Sequence, residues 1–345
     1  MDGDNLAEII INKGDSYKIK IEKIESFNKS IFNNIYTNAA NCSLEIIKNT
    51  KKYHQALKDN TDNLFVNDIE NFNNIIAFTG DRGTGKSSAM ISFIRAMQNF
   101  NENNTKIEQF KSLSKSNYVF LDIIDPSMFE DEENIFGIIV SKMFSKFKEC
   151  NDDCCKTIDE NKKRELIKSF DKVYQNIKTL SMTYKEILKE NEYSETSIET
   201  LSKLASGSNM RTSFLELVSK FLCFFCENEK IENSFLIIAI DDLDMNVCHA
   251  ERMIEQIRKY LIVPNVIVVM AIKTEQLINS VEQEYIENYK TIIDKNQFTD
   301  VTKNMAEKYI AKLIPYNRRL TMPKLRVTGK DILQLKIDDI FEKNN

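Results

Sequence analysis

The sequence predicts an α/β fold: a parallel sheet carrying a long helical insertion. Three observations predict it. The first is a glycine-rich turn, Gly80-Asp81-Arg82-Gly83-Thr84-Gly85-Lys86-Ser87, set between an apolar run of strand type, Ile75–Thr79, and an amphipathic segment, Ser88–Phe100. The second is another apolar run, Phe235–Ile240, that ends in Asp241, Asp242 and Asp244. The third is helical periodicity through most of residues 150–233, between the two. Strand-type runs separated by helical segments are the pattern of a parallel sheet.

Residues 1–74 read as a mostly helical extension with structural support duty and no chemistry. Tyr17–Glu22 alternates as a strand does. Phe27, Ile31 and Ile35 follow helical spacing, and helix is expected as far as Leu57. Asn60–Asn74, rich in Asn and Asp, reads as a connection.

Residues 75–149 read as the first part of the core. The chain has eight glycines, and three fall within positions 80–85, so the turn is a concentrated feature rather than background. Glycine allows φ > 0 and close backbone approach to a ligand. The turn fits G-x-x-x-x-G-K-[ST], the P-loop pattern. The N–H groups of such a loop can cradle a triphosphate, with Lys86 on the β/γ oxygens and Ser87 on Mg²⁺. The phosphates meet a helix N-terminus, where the dipole and free N–H groups favour an anion. Gly80, Asp81, Arg82, Gly83, Thr84, Gly85, Lys86, Ser87 and Ser88 are therefore the expected nucleotide-binding residues. Tyr118–Pro126 reads as a second strand, with Asp122 and Asp125 at its C-terminal end as groups near the metal or as turn caps. Asn134–Phe147 reads as an amphipathic helix.

Residues 150–233 read as an all-helical insertion. Leu166, Phe170, Val173, Ile177, Leu180, Tyr184 and Ile187 alternate steps of four and three, an a/d seam. Packing within a small bundle is its ordinary use, and self-association is the alternative. Ser206–Thr212 reads as a polar break. Seven cysteines, an odd number, read as free thiols. Cys223-Phe224-Phe225-Cys226 lies in an apolar run and reads as core packing. Only two histidines, His54 and His249, are present and neither has zinc-ligand spacing.

Residues 234–328 read as the second part of the core. A carboxylate at the end of the Phe235–Ile240 run can hold Mg²⁺, and a second beside it can orient or deprotonate water. Ala250–Leu261 reads as a helix and Val266–Ile272 as a buried strand, whose end carries Lys273 and Thr274 within reach of the γ-phosphate region. Residues 274–314 read as helices and Arg318–Pro323 as a final short strand. Lys312, Arg318, Arg319, Lys324 and Arg326 make this the most basic segment, read as a solvated face, with contact to phosphates of nucleotide or nucleic acid as the alternative. Residues 329–345 read as a tail or the opening of a further domain.

A net charge of −5 carries no global basic signature for nucleic acid or an anionic membrane. The longest apolar runs fall well short of the roughly 20 residues of a membrane helix. Met1–Asn5 is acidic and polar with no apolar stretch after it, so no signal peptide and a cytoplasmic location are expected.

The order of parts resembles the additional-strand P-loop ATPases, which include AAA+ and STAND proteins. Ile240-Asp241-Asp242-Leu243-Asp244 resembles the hhhhDDxD signature of the KAP-type and STAND members, and Lys308–Pro315 with Pro323 resembles the late KAP segment. The resemblance spans residues 70–328. It implies a Mg-dependent ATPase with Lys86 and Ser87 on phosphate and Mg²⁺, Asp241 on Mg²⁺, and Asp242 as the water-activating acid. Lys273 falls at the sensor position, where the family more often has Asn, Ser, Thr or Asp. The class often uses an arginine from a neighbouring subunit; Arg252, Arg258, Arg318 and Arg319 are the candidates. A homo-oligomer, with a protein partner or effector subunit, is implied. Many KAP proteins carry membrane helices in an insert, whereas this insert is polar. Bacterial members often serve in anti-phage defence, among them antiviral STAND proteins and the ATPase subunit of RADAR systems.

The leading expectation is an ATP-hydrolysing conformational or assembly switch. The alternative is a non-hydrolysing scaffold or oligomerisation module stabilised by nucleotide. A GTPase is disfavoured because no N-K-x-D follows a strand, and a compact small-molecule kinase because of the long insertion.

Overall fold

The computed structural model describes residues 7–12, 29–59, 72–99, 108–129, 134–152, 159–181, 206–226, 230–245, 249–289, 298–323 and 333–338. Its centre is a five-stranded sheet built from Ile75–Thr79 (β2), Asn117–Phe120 (β3), Ser234–Asp241 (β4), Val266–Ile272 (β5) and Arg319–Thr321 (β6). The spatial order is β3-β4-β5-β2-β6, and every pair is parallel.

The apolar runs explain the sheet. All of β2 and β5, and β4 up to Ile240, are buried, as strands covered on both faces must be. Alternate side chains enter two separate cores. Ile75, Ala77, Leu236, Ile238, Val268 and Met270 face one core, while Ile76, Phe78, Phe235, Ile237, Val269 and Ala271 face the other.

The second core is closed by Lys29–Lys58 (α1), Lys86–Gln98 (α2) and Glu108–Leu113 (α3). The first is closed by Ile135–Asp152 (α4), Glu160–Ser181 (α5), Ser206–Phe225 (α6), Ala250–Gln256 (α7), Thr274–Tyr289 (α8) and Phe298–Leu313 (α9). The result is a helix–sheet–helix sandwich. A further parallel pair joins Ala7–Asn12 (β1) to Leu333–Asp338 (β7).

Several expectations change. The strand expected at Tyr17–Glu22 lies outside the described residues. A strand stands instead at β1, and its partner β7 falls in the segment read as a tail, so β6 is not the last strand. The polar stretch Ser206–Thr212 is no break but the first turns of α6, where small polar residues are tolerated while Met210 is buried. The helix from Ala250 changes at Ile257 into a π-turn, Ile257–Leu261, before β5.

The heptad seam is used within the chain over the part that is described. Leu166, Phe170 and Val173 are buried. The Phe170 ring meets Phe144 of α4 at 5.3 Å and Phe221 of α6 at 6.4 Å. Tyr184 and Ile187 lie outside the described residues. Cys223 is exposed rather than packed in the core, because the apolar run forms a helix and Cys223 falls on its outer side.

Candidate functional site

Strand register brings three C-terminal ends level. Thr79 pairs with Ile272, and Asp241 with Ala271, so β5 stands between β2 and β4. Residues 80, 242 and 273 therefore leave the sheet side by side. Ligands of open α/β sheets bind at this edge.

After β2 the chain turns through Gly83 (φ 78°) and Gly85 (φ 81°), both left-handed, which side-chain-bearing residues adopt only with strain. A Cβ at Gly85 would come no nearer than 4.0 Å to Met322, and one at Gly83 would meet nothing within 4 Å, so the loop's face is open. Gly80 is different: a Cβ there would lie 2.8 Å from Thr84 Oγ1 and 3.1 Å from Met322 Cβ. Thr84 Oγ1 donates to the Asp81 carbonyl at 2.7 Å and fixes the turn. The Gly85 carbonyl accepts from Ala89 N–H at 2.9 Å, so the N–H groups of Lys86 and Ser87 precede the helix's own ladder. Lys86 is 7% exposed and its Nζ donates to the Asp81 carbonyl at 3.2 Å.

The link to the acids is direct. Ser87 Oγ donates to Asp241 Oδ1 at 2.8 Å, across 154 positions of sequence. Burial pushes the Asp241 carboxyl up from its ordinary value; the Ser87 hydrogen bond pulls it down, and the charges of Asp242 and Asp125 add to the rise. Asp242 has φ 49°, a left-handed conformation that Asp tolerates better than most residues. Its N–H donates to the Ala271 carbonyl at 3.2 Å, and its carbonyl accepts from Met245 N–H at 2.9 Å.

Asp244 is almost fully buried, and burial pushes its carboxyl up as well. Its Oδ1 accepts the Lys273 N–H at 2.9 Å. The Lys273 ammonium lies 3.6 Å from Asp81 and 3.8 Å from Glu275. Thr274 begins α8 and is half-buried. Arg82 reaches Met245 Sδ at 3.0 Å.

Asp125 takes the cap role: its Oδ1 accepts from Ser127 N–H at 3.0 Å and Ser127 Oγ at 2.5 Å. Asp122 is exposed. The arginines behave less as expected. Arg318, with a side chain 4% exposed, donates to the Cys42 carbonyl at 2.7 Å and sits 3.3 Å from Glu45. That corrects the expectation of a hand offered to a neighbouring subunit: the guanidinium is consumed inside the chain, tying β6 to α1. Arg319 donates to the Ile314 carbonyl at 2.8 Å and stacks over Tyr316, and Arg258 lies over the Tyr309 ring at 5.2 Å. Arg252 is exposed on the first turn of α7. Met322, which roofs Gly80, carried no signal in the sequence; only the parallel pairing of β6 beside β2 brings it there.

Among the described residues no helix is long and apolar enough to cross a membrane, and no group of three metal-ligating side chains forms. Mg²⁺ takes one or two hard oxygen ligands from protein and completes its shell with water and phosphate. Ser87 and Asp241 supply two such oxygens side by side. No family model matches the chain, and no curated protein matches it either.

Proposed function

We propose that the chain is a Mg-dependent P-loop ATPase of the additional-strand group, acting as a conformational or assembly switch. The observation that carries this is the Ser87–Asp241 hydrogen bond, which joins a helix-opening P-loop to a strand-ending acid. The strand order supports it, since β5 stands between the loop's strand and the acid's strand.

The loop N–H groups and Lys86 would hold the β- and γ-phosphates, and Ser87 and Asp241 would hold Mg²⁺. The metal would neutralise charge building on the phosphate oxygens. Asp242 is the acid left at the mouth of the site to accept a proton from water. That water's oxygen bonds to the γ-phosphorus, the bond from phosphorus to the ADP oxygen breaks, and ADP and phosphate leave. A homo-oligomer remains part of the proposal, with Arg252, the exposed one of the four, as the arginine offered in trans; specific activity then rises with protein concentration. A setting in anti-phage defence rests on the family resemblance alone.

Phosphate release from purified protein, with Mg²⁺ and with EDTA, tests the reading. Mg-dependent release that disappears in Lys86→Ala supports it. Release that persists at full rate in Lys86→Ala assigns the activity elsewhere.

A further inference from the structure

Asp244 is the acid that the proposed reaction leaves unused. It is 4% exposed, yet both of its ends are engaged. Oδ1 accepts the Lys273 N–H at 2.9 Å, and the main-chain oxygen accepts from Gln276 Nε2 at 2.9 Å. Lys273 in turn opens α8, its carbonyl accepting from Leu277 N–H at 3.1 Å. From that fixed main chain the Lys273 ammonium reaches Asp81, the second residue of the P-loop, at 3.6 Å. One residue beyond Asp244, Met245 meets Arg82 at 3.0 Å. The acid loop therefore braces two consecutive P-loop residues, Asp81 through Lys273 and Arg82 directly.

We propose that Asp244 is a positioning residue: by holding the main chain of Lys273 it sets the Lys273–Asp81 contact and the shape of the loop that receives the phosphates. This rests on the ATPase reading above. An ion pair between half-exposed groups contributes little energy by itself. Its value here is geometric, since a P-loop displaced from its acids cannot share a metal with them. Asp244 is distinguished from Asp241 by its partner. Asp241 accepts from the P-loop hydroxyl and from the adjacent Asp242 N–H, whereas Asp244 accepts the N–H of Lys273, one residue past β5.

The test compares Asp244→Asn with Asp244→Ala. The amide keeps an Oδ1 able to accept the Lys273 N–H; alanine has none. Positioning predicts that Asp244→Asn stays within about fivefold of wild type in ATP affinity and turnover. Asp244→Ala loses about 10- to 100-fold in ATP affinity, the range expected when a buried donor is orphaned. Adding Lys273→Ala to Asp244→Ala lowers affinity little further, because both act through one contact. The concentration of Mg²⁺ needed for half-maximal binding stays constant across the series. Asp244→Asn as impaired as Asp244→Ala would overturn the proposal, because the negative charge itself would then be what the site needs. Should Asp244→Ala not fold, Asp244→Asn decides alone: near-wild-type behaviour supports positioning and a hundredfold loss overturns it. A wild type that binds ATP without turnover sinks hydrolysis and leaves the affinity comparison intact. One that binds no nucleotide sinks both.

Discussion

The two edges of the sheet treat polar groups in opposite ways. At the N-terminal edge, Asn74 Nδ2 donates to the carbonyls of Leu261, Val263 and Val266 at 2.8, 3.2 and 3.0 Å. Asn265, left-handed at φ 63°, donates to Ile231 and Ser234 at 2.7 and 2.9 Å while its Oδ1 meets His54 at 2.7 Å. Arg211 donates to the Ile262 carbonyl at 2.6 Å. These side chains donate to main-chain carbonyls at the starts of the strands and in the loops that lead into them. At the C-terminal edge carboxylates gather, and burial pushes two of them, Asp241 and Asp244, upward. Desolvating a carboxylate costs stability. On the ATPase reading, the edge that retains such groups serves the ligand, and the opposite edge holds the fold.

That contrast yields mutations whose effects separate cleanly. The largest belongs to Asp242→Asn, which should slow ATP hydrolysis by roughly 10²–10⁴-fold while ATP stays bound, as removal of a general base does. Single-turnover phosphate release checks it, and an unchanged rate would move the role to another acid. Next is Lys86→Ala. Losing a charge-assisted contact worth about 1.5–3 kcal/mol should weaken ATP binding roughly 10- to 150-fold in calorimetry. Asn265→Ala acts at the other edge. It orphans several polar groups and puts alanine at positive φ, so unfolding free energy should fall by about 2–4 kcal/mol in urea. Nucleotide affinity, measured well below the transition, should stay as in wild type. Equal loss of affinity in Asn265→Ala would erase the distinction between the edges.

Much of this was legible in sequence, for a physical reason. A parallel strand buried on both faces must be apolar throughout, so β2, β4 and β5 announce themselves, and β5 falls at Val266–Ile272 as read. The P-loop is legible because its glycines meet local backbone demands. What stayed hidden depends on distant parts of the chain. Arg318 reads as a surface cation until α1 is seen to cover it. Asp244 reads as one acid among three until β5 brings the Lys273 N–H beside it. The pairing of β1 with β7 joins residues near opposite ends of the chain, which no local periodicity encodes. Asp125 had two readings, and a single Ser two positions on selects the cap.

The central claim is that Ser87 and Asp241 share one metal–phosphate site, and a double-mutant cycle in ATP affinity tests it most directly. Calorimetry on wild type, Ser87→Ala, Asp241→Asn and the double variant, each with and without Mg²⁺, supplies the cycle. The expected result is that either single substitution abolishes most of the gain in affinity from Mg²⁺, and that the double adds little, a coupling on the order of 1 kcal/mol or more. Two independent, additive losses, or ATP binding indifferent to Mg²⁺ in wild type, would contradict it.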